Sequence, residues 1–505
     1  PYITYNIPKT EDAVYVQFSA GYESTKQHDW KDYNIRYGVN PSEEAVKRQY
    51  TDGTPDHTLN LDSRIGYRTY IKQNYASISY QYSFVDQVKD SYMYALDRLK
   101  DMGIFGVLPE GYMQALDVAN SYTSRQITNI HSLAPYYNFS TSFANKSGLM
   151  IYLMPRISLT HRHLNYWRND KSYRLSKTDA TVRVSSIFDG MIEYRFNASG
   201  EGRQKRFRNT VRYSYRIDPT LPEMVDMLDI VDDSDPLNIY FGNPDLKTSV
   251  QHKHLFRWSY TPLSHTLNNI FYASYSHTSN ALIRGYTYNT STGVRYNRMY
   301  NVDGTRSAGV TNELNWQFGS KKQFSLSSES DWSISRLSDM VGVNLSEPVP
   351  VKVNNRMLSE RLKLGWQIAG QSLQLRCDIT NRRTTSSEAG FNTINATHSV
   401  YGVSGVFKLP EGFGISTDFM CYTRRGYGVD YLDTTDPVWN LRATYCPPRH
   451  NRWVFIADGF DLLHKLSNVN YAVTATGRTV SYTNTIPRYL LLSVQYRFNI
   501  QPKKR

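Results

Sequence analysis

The sequence predicts an all-β protein that crosses a membrane as an antiparallel up-and-down β-barrel. Three observations carry this expectation: period-two alternation of apolar and polar residues, a wealth of aromatic side chains, and short polar turns that alternate with long, variable stretches.

Alternation is what a sheet with one apolar and one wet face requires. Ala76, Ile78, Tyr80, Tyr82 and Phe84 interleave with Ser77, Ser79, Gln81 and Ser83. Leu149, Ile151 and Leu153, then Ile157 and Leu159, oppose Arg156, Ser158 and Thr160, with Pro155 unable to donate to a ladder. Val211, Tyr213 and Tyr215 oppose Arg208, Thr210, Arg212, Ser214 and Arg216, and Leu362, Leu364, Trp366 and Ile368 oppose Lys363, Gly365 and Gln367. The last segment is the cleanest: Leu490, Leu492, Val494, Tyr496 and Phe498 alternate with Ser493, Gln495, Arg497 and Asn499.

The 41 Tyr, 20 Phe and 8 Trp suit the two levels where hydrocarbon meets water, although a Tyr-rich soluble propeller or sandwich would share that composition. At 40% apolar and 20% charged, the chain is too apolar for disorder and too polar for a helical membrane protein. No stretch approaches the roughly 18 apolar residues a spanning helix needs, whereas a tilted spanning strand needs only about 9–11 residues, half of them polar.

Short turns are expected at Pro8–Asp12, Lys72–Asn74, Asn145–Gly148, Asn197–Gln204, Pro262–Thr266, Gly319–Lys322, Gly370–Ser372, Pro410–Gly412 and Pro447–Asn451. These nine turns and a final strand imply about 19 strands, with Pro1–Ile7 among them, set against about 22 in plugged transporters. The sequence opens at Pro1-Tyr2-Ile3 without Met, a charged n-region or a cleavage site, so three strands and a plug are expected upstream, and residues 1–505 are expected to form one barrel domain. Between Val85 and Ala119 the spacing of Val88, Tyr92, Ala95, Leu96 and Leu99 predicts one short helix, and Pro109 a second through Met113 and Leu116. These would lie outside the cell as a lid or as a decoration on the rim.

Lys and Arg exceed Asp and Glu by 58 to 45, a net charge of +13 that suits anionic lipid headgroups, an anionic solute or nucleic acid. Nucleic acid is the poorest fit, because the charges are scattered and no recognition helix or RNP-like signature is present. Arg183, Arg195, Arg208, Arg212 and Arg216 fall on the inward parity of neighbouring strands, as candidate contacts for a plug or an anionic ligand. The acidic run with Glu223, Asp226, Asp229, Asp232, Asp233 and Asp235 lacks the order of a calcium-binding EF-hand, so a solvated loop or short acidic helix is favoured over a calcium site.

His161 with His163, and His252 with His254, place two imidazoles on one strand face, but without a third ligand nearby they read as lumen or loop histidines. Cys377, Cys421 and Cys446 lack CxxC spacing and read as small apolar side chains. No nucleophile elbow, zinc-protease, Walker or dinucleotide motif occurs, so neither metal, cofactor nor catalysis is expected.

Asp235-Pro236 followed by Phe241-Gly242-Asn243-Pro244-Asp245-Leu246-Lys247 resembles TonB-dependent outer-membrane receptors, where such a segment opens a barrel strand after an external loop. Gly459-Phe460-Asp461-Leu462-Leu463, then Ile486-Pro487-Arg488-Tyr489 and Tyr496-Arg497-Phe498-Asn499, look like the closing strands of the Bacteroidota-type subfamily. Ile500–Arg505 departs from the pattern by extending past the terminal aromatic residue. The resemblance implies a bacterial outer-membrane receptor that imports a large or scarce solute. Its partners would be outer-membrane lipid and lipopolysaccharide, the TonB complex acting through a plug, and a surface lipoprotein. A structural or adhesive surface barrel that transports nothing is the alternative, and an outer-membrane hydrolase ranks third.

Overall fold

The computed structural model describes residues 1–498 apart from 37–43, 54–55, 73, 144–146, 198–203, 263–265, 345, 389–390, 428–432, 451, 467–468, 475–476, 483–485 and 487, and its side-chain description also leaves out 35–45, 191–207, 467–480 and 482. Among the described residues, 27 strands occur. Eight of them lie in connections: His28–Arg36, Glu44–Asp52, Val231–Asp235, Asn238–Phe241, Ala281–Tyr288, Arg295–Val302, Val469–Thr474 and Gly477–Tyr482. The remaining nineteen, from Tyr2–Asn6 to Tyr489–Tyr496, form a meander in which each pairs antiparallel with the next, the architecture of an outer-membrane β-barrel.

Each of the nine expected turns separates two consecutive members of this meander, although those at 72–74, 145–148, 197–204, 262–266 and 447–451 contain residues outside the described ones. The other end carries the longer connections. One connection at that end is instead tight: Asn169 and Asp170, at φ 50° and 57°, join strands of 21 and 27 residues. Both residues at positive φ is the geometry of a type I′ hairpin turn, which Asn and Asp tolerate.

Cross-strand register turns the alternation of single segments into bands. Ile3, Val16, Ile65, Tyr80, Leu133, Ile157 and Val182 are paired in succession across seven strands, and every one is exposed. One residue along, the opposite face runs Gln17, Arg64, Gln81, Ser132, Ser158 and Thr181. The same division holds on the later strands, where Trp316, Leu326, Leu364, Leu375, Val403, Phe419 and Trp439 form one row. Beside it, Ser325, Gly365, Gln374, Ser404, Asp418 and Asn440 form another. Exposed apolar rows many strands wide belong against hydrocarbon, and the polar rows line the interior. Cys377 and Cys421 lie on the outward parity either side of Tyr401, and no cysteine is disulfide-bonded.

The two helices expected between Val85 and Ala119 do not form. Strand Asn74–Ala95 continues through Val88 and Tyr92, pairing with Tyr122–Ser142 on one side, with Asp56–Ile71 as far as Val88 on the other, and with Glu44–Asp52 at its tip. A ladder on each side outweighs helical spacing, because isolated short helices are marginal in water. Only single 3₁₀ turns follow, at Leu96–Arg98 and Tyr112–Ala115. Leu96 and Ala115 are buried with Tyr50, and Trp30, Tyr94 and Tyr112 pack around them, so this connection has a small core of its own.

Placing arginine at Leu375 sets a charge inside the outward apolar row, at a cost of about 2–4 kcal/mol near the bilayer midplane, whereas Gln374→Arg points it inward. Folding into liposomes, followed by the heat-dependent gel shift of folded barrels, is expected to fall sharply for Leu375→Arg and little for Gln374→Arg.

Candidate functional site

The inward face of strands Gly148–Arg168, Lys171–Asn197 and Gln204–Thr220 concentrates positive charge. Arg183 makes a 3.2 Å ion pair with Asp218, and the Arg212 guanidinium binds Asp189, its Nε at 3.0 Å. Arg208 and Arg216 are exposed on the same parity, with Arg216 facing Ser185 and Lys253. Arg195 pairs in register with Arg206, and its side chain lies outside the described ones.

Two further arginines belong to this wall. Arg156 stands directly opposite Arg183, and Arg64 is the other charge that bears on it. Arg64 donates to Ser79 at 3.0 Å and lies over the Tyr15 ring at 5.6 Å, while its Nε is buried without a partner. Directly opposed like charges destabilise a sheet unless an anion lies between them. The ladder is also weakest here. Pairing between Tyr122–Ser142 and Gly148–Arg168 stops after Leu133↔Ile157 and resumes at Tyr137↔Leu153, leaving out Pro135 and Pro155, which have no N–H to donate.

Towards the long-connection end the wall turns apolar and is covered. Leu164 and Tyr166 are buried with Met224 and Leu228 of the connection 221–248, with Tyr122, Tyr173, Leu175 and Ile230 packed against them. Arg162 pairs with Asp179 at 2.8 Å and donates to the Pro222 carbonyl at 2.6 Å. The connection therefore folds inward over the wall.

The segment 241–247 locks it there. Gly242 approaches Leu228 so closely that a Cβ would lie 1.5 Å from the Leu228 carbonyl oxygen. The Asn243 side chain donates to the Met299 carbonyl at 2.8 Å and accepts from the Asp245 N–H, and its own N–H reaches the Asp226 carbonyl at 2.6 Å. Lys247 and Asn301 exchange two hydrogen bonds, at 2.7 and 2.9 Å. At the last long connection, Asp461 at φ 43° accepts from the Lys465 and Leu466 N–H groups.

The acidic run does not converge on a point. A 3₁₀ turn at Val225–Met227 precedes strand Val231–Asp235. Asp232 accepts from the Ser234 N–H and lies 3.5 Å from Arg168, Asp235 caps Leu237 and Asn238, and Asp229 and Asp233 are exposed. Among the described residues, no group of three His, Cys, Asp or Glu side chains could hold a metal ion. His161 and His163 continue the outward parity of Ile157 and Leu159 and bond Thr178 and Ser176. His252 and His254 bond Tyr215 and Tyr213 on the same exterior face, so these four belong to the outer wall and not to the lumen.

Apolar outer rows, a polar interior and hairpin connections of unequal length define an outer-membrane β-barrel protein of bacteria. Residues 202–445 match the model described as outer membrane protein beta-barrel family. No curated protein matches the chain. Among solved structures, the chain is similar to the ferric yersiniabactin uptake receptor FyuA from Yersinia pestis, at 10% identity over 99% of this chain and 77% of that one, TM-score 0.35. It is also similar to the iron transporter FrpB from Neisseria meningitidis, at 10% identity over 98% and 80%, TM-score 0.33. A third similarity is to the ferric citrate transporter FecA, at 10% identity over 98% and 75%, TM-score 0.34. At these scores the fold stands on its own strand pairings and not on the likeness.

Burial raises the pKa of Asp226 above the ordinary carboxylate value, with Arg284 opposing and Glu223 adding to the shift. A raised folded-state value means that its contribution favours folding below the unfolded pKa of about 3.9 and is lost as pH rises through the folded value. Asp226→Asn is therefore expected to slow hydrogen exchange of 221–248 several-fold at pH 7, with the difference vanishing towards pH 4.

Proposed function

We propose that the chain is the barrel of a TonB-dependent receptor that imports a solute too large or too scarce for general porins. The observation that carries this reading is the inward arginine wall, in which Arg156 and Arg183 oppose each other beside Arg64, and Asp218 pairs with Arg183. Such a wall draws in an anionic group, either from a solute or from acidic residues of a plug held in the lumen. Arg208, Arg212 and Arg216 extend it along the neighbouring strand, and Arg195 shares their parity. The connection 221–248 packs on the inward face of this wall, a placement that suits a selective receptor better than an open pore. Energy would come from the inner membrane through TonB, and a surface lipoprotein could present the solute.

The test is energised accumulation of labelled ferric chelates, cobalamin, oligosaccharides and peptides by cells that carry the intact gene, with and without TonB. Uptake of at least one class is expected to collapse without TonB and to fall about tenfold in an Arg156→Gln/Arg183→Gln variant. Uptake indifferent to TonB, or no uptake of any class, would favour a structural or adhesive surface barrel.

A further inference from the structure

We propose that the outward face at the long-connection end of four adjacent strands is a docking site for the phosphate groups of an outer-leaflet lipid. The strands are Thr305–Phe318, Phe324–Val343, Val349–Ile368 and Gln371–Ser386. Val310, Trp332, Leu358 and Ile379 fix the outward parity, and Arg306, Arg336, Arg356 and Arg383 share it.

Register gathers these arginines into one patch. Arg306 is paired directly with Arg336, and Arg356 directly with Arg383. Arg356 faces Ile334, which sets it diagonal to Arg336, about 7–8 Å away between Cα atoms. His277 faces Arg306 from the next strand. Two directly opposed like-charge pairs on one face are costly unless an anion lies among them. Among the described residues none does: no carboxylate lies within ion-pair distance of these four, and the Arg336 Nε is buried without a partner. Two inward arginines of the same strands differ, because Arg361 is held by Glu329 and Asp331, and Arg376 by Asp378, whereas inward Arg382 reaches only the Met357 sulfur.

Position selects the occupant. On the same face, Trp332, Leu358 and Ile379 lie on the short-turn side of the patch, and the connections after Ser279, Val343 and Ser386 lie beyond it. The guanidinium groups therefore stand where the outer hydrocarbon gives way to headgroups. A solute passing through the lumen is on the other side of the sheet. Phosphate is the lipid anion that a cluster of guanidinium forks matches best, since each fork can bind two of its oxygens. This inference rests on the fold alone and is independent of what the lumen carries.

The test compares the parent protein in detergent with Arg306→Gln/Arg336→Gln and Arg356→Gln/Arg383→Gln variants, following thermal unfolding by circular dichroism. Each is titrated with micelles of diphosphorylated lipid A, with lipid A stripped of both phosphates, and with inorganic phosphate. In plain detergent the variants are expected to melt at or above the parent, because like-charge repulsion has been removed. Diphosphorylated lipid A should raise the melting temperature of the parent, with either variant needing at least tenfold more lipid, and the other two additives should have no effect. Equal response to the phosphorylated and stripped lipids, an equal response of parent and variants, or a full effect of inorganic phosphate would overturn the proposal. So would variants that melt below the parent in plain detergent, since the arginines would then be holding the sheet and not a lipid.

Discussion

Hydrocarbon offers no partner to a backbone N–H or C=O, and each such group left unpaired there costs several kcal/mol. Everything else about this chain follows from meeting that demand with strands. Spanning strands pair with their neighbours in the meander, with a break beside Pro135 and Pro155, so the sheet has to be a meander of hairpins. Pairing in register then fixes which side chains share a level, and the two-residue period fixes which face they occupy. The rows from Ile3 to Val182 and from Trp316 to Trp439 are the outcome. A slip of one residue would put Arg64 and Gln81 into lipid.

The connections solve a different problem, because beyond the membrane the chain is in water and can build ordinary cores. Among the described residues it does so twice, around Leu96 and Tyr50 and around Met224 and Tyr166. The second core uses inward-facing residues of the barrel wall itself, and that is what draws 221–248 over the interior. Gly242 and Asn243 supply the close approach and the hydrogen bonds that keep it there. Charge is sorted by the same geometry: inward arginines such as Arg212 and Arg361 meet carboxylates on adjacent strands, while Arg156 and the outward group around Arg336 do not.

Alternation and turn chemistry are local signals, so the strand count, the nine turns and the apolar parities were all legible in the sequence. The stretch from Val88 to Leu99 was not. Its apolar residues fit a helical spacing as well as a strand, and pairing with Tyr122–Ser142 and with Glu44–Asp52, some forty residues earlier, decides between them. Arg156 and Arg183 lie 27 positions apart, and Arg306 and Arg336 lie 30 apart. Whether such residues are neighbours depends on register, which single segments do not reveal. The histidine pairs show the same limit: period two places His161 and His163 on one face, but choosing the outer face requires the level at which Leu159 and His131 meet. In the segment 241–247, spacing reveals the turn, whereas its partners do not follow from it: Leu228 lies earlier in the same connection and Met299 in another, 56 residues from Asn243.

Spin labels placed one at a time along Gln371–Thr380, with Cys377, Cys421 and Cys446 replaced, test the alternation itself. Collision rates with oxygen, which dissolves in lipid, and with a water-soluble nickel chelate are compared in liposomes. The account predicts that positions 373, 375, 377 and 379 favour oxygen and positions 372, 374, 376 and 378 favour nickel, with a period of two. Uniform accessibility to nickel along the strand, or a period near 3.6, would contradict it.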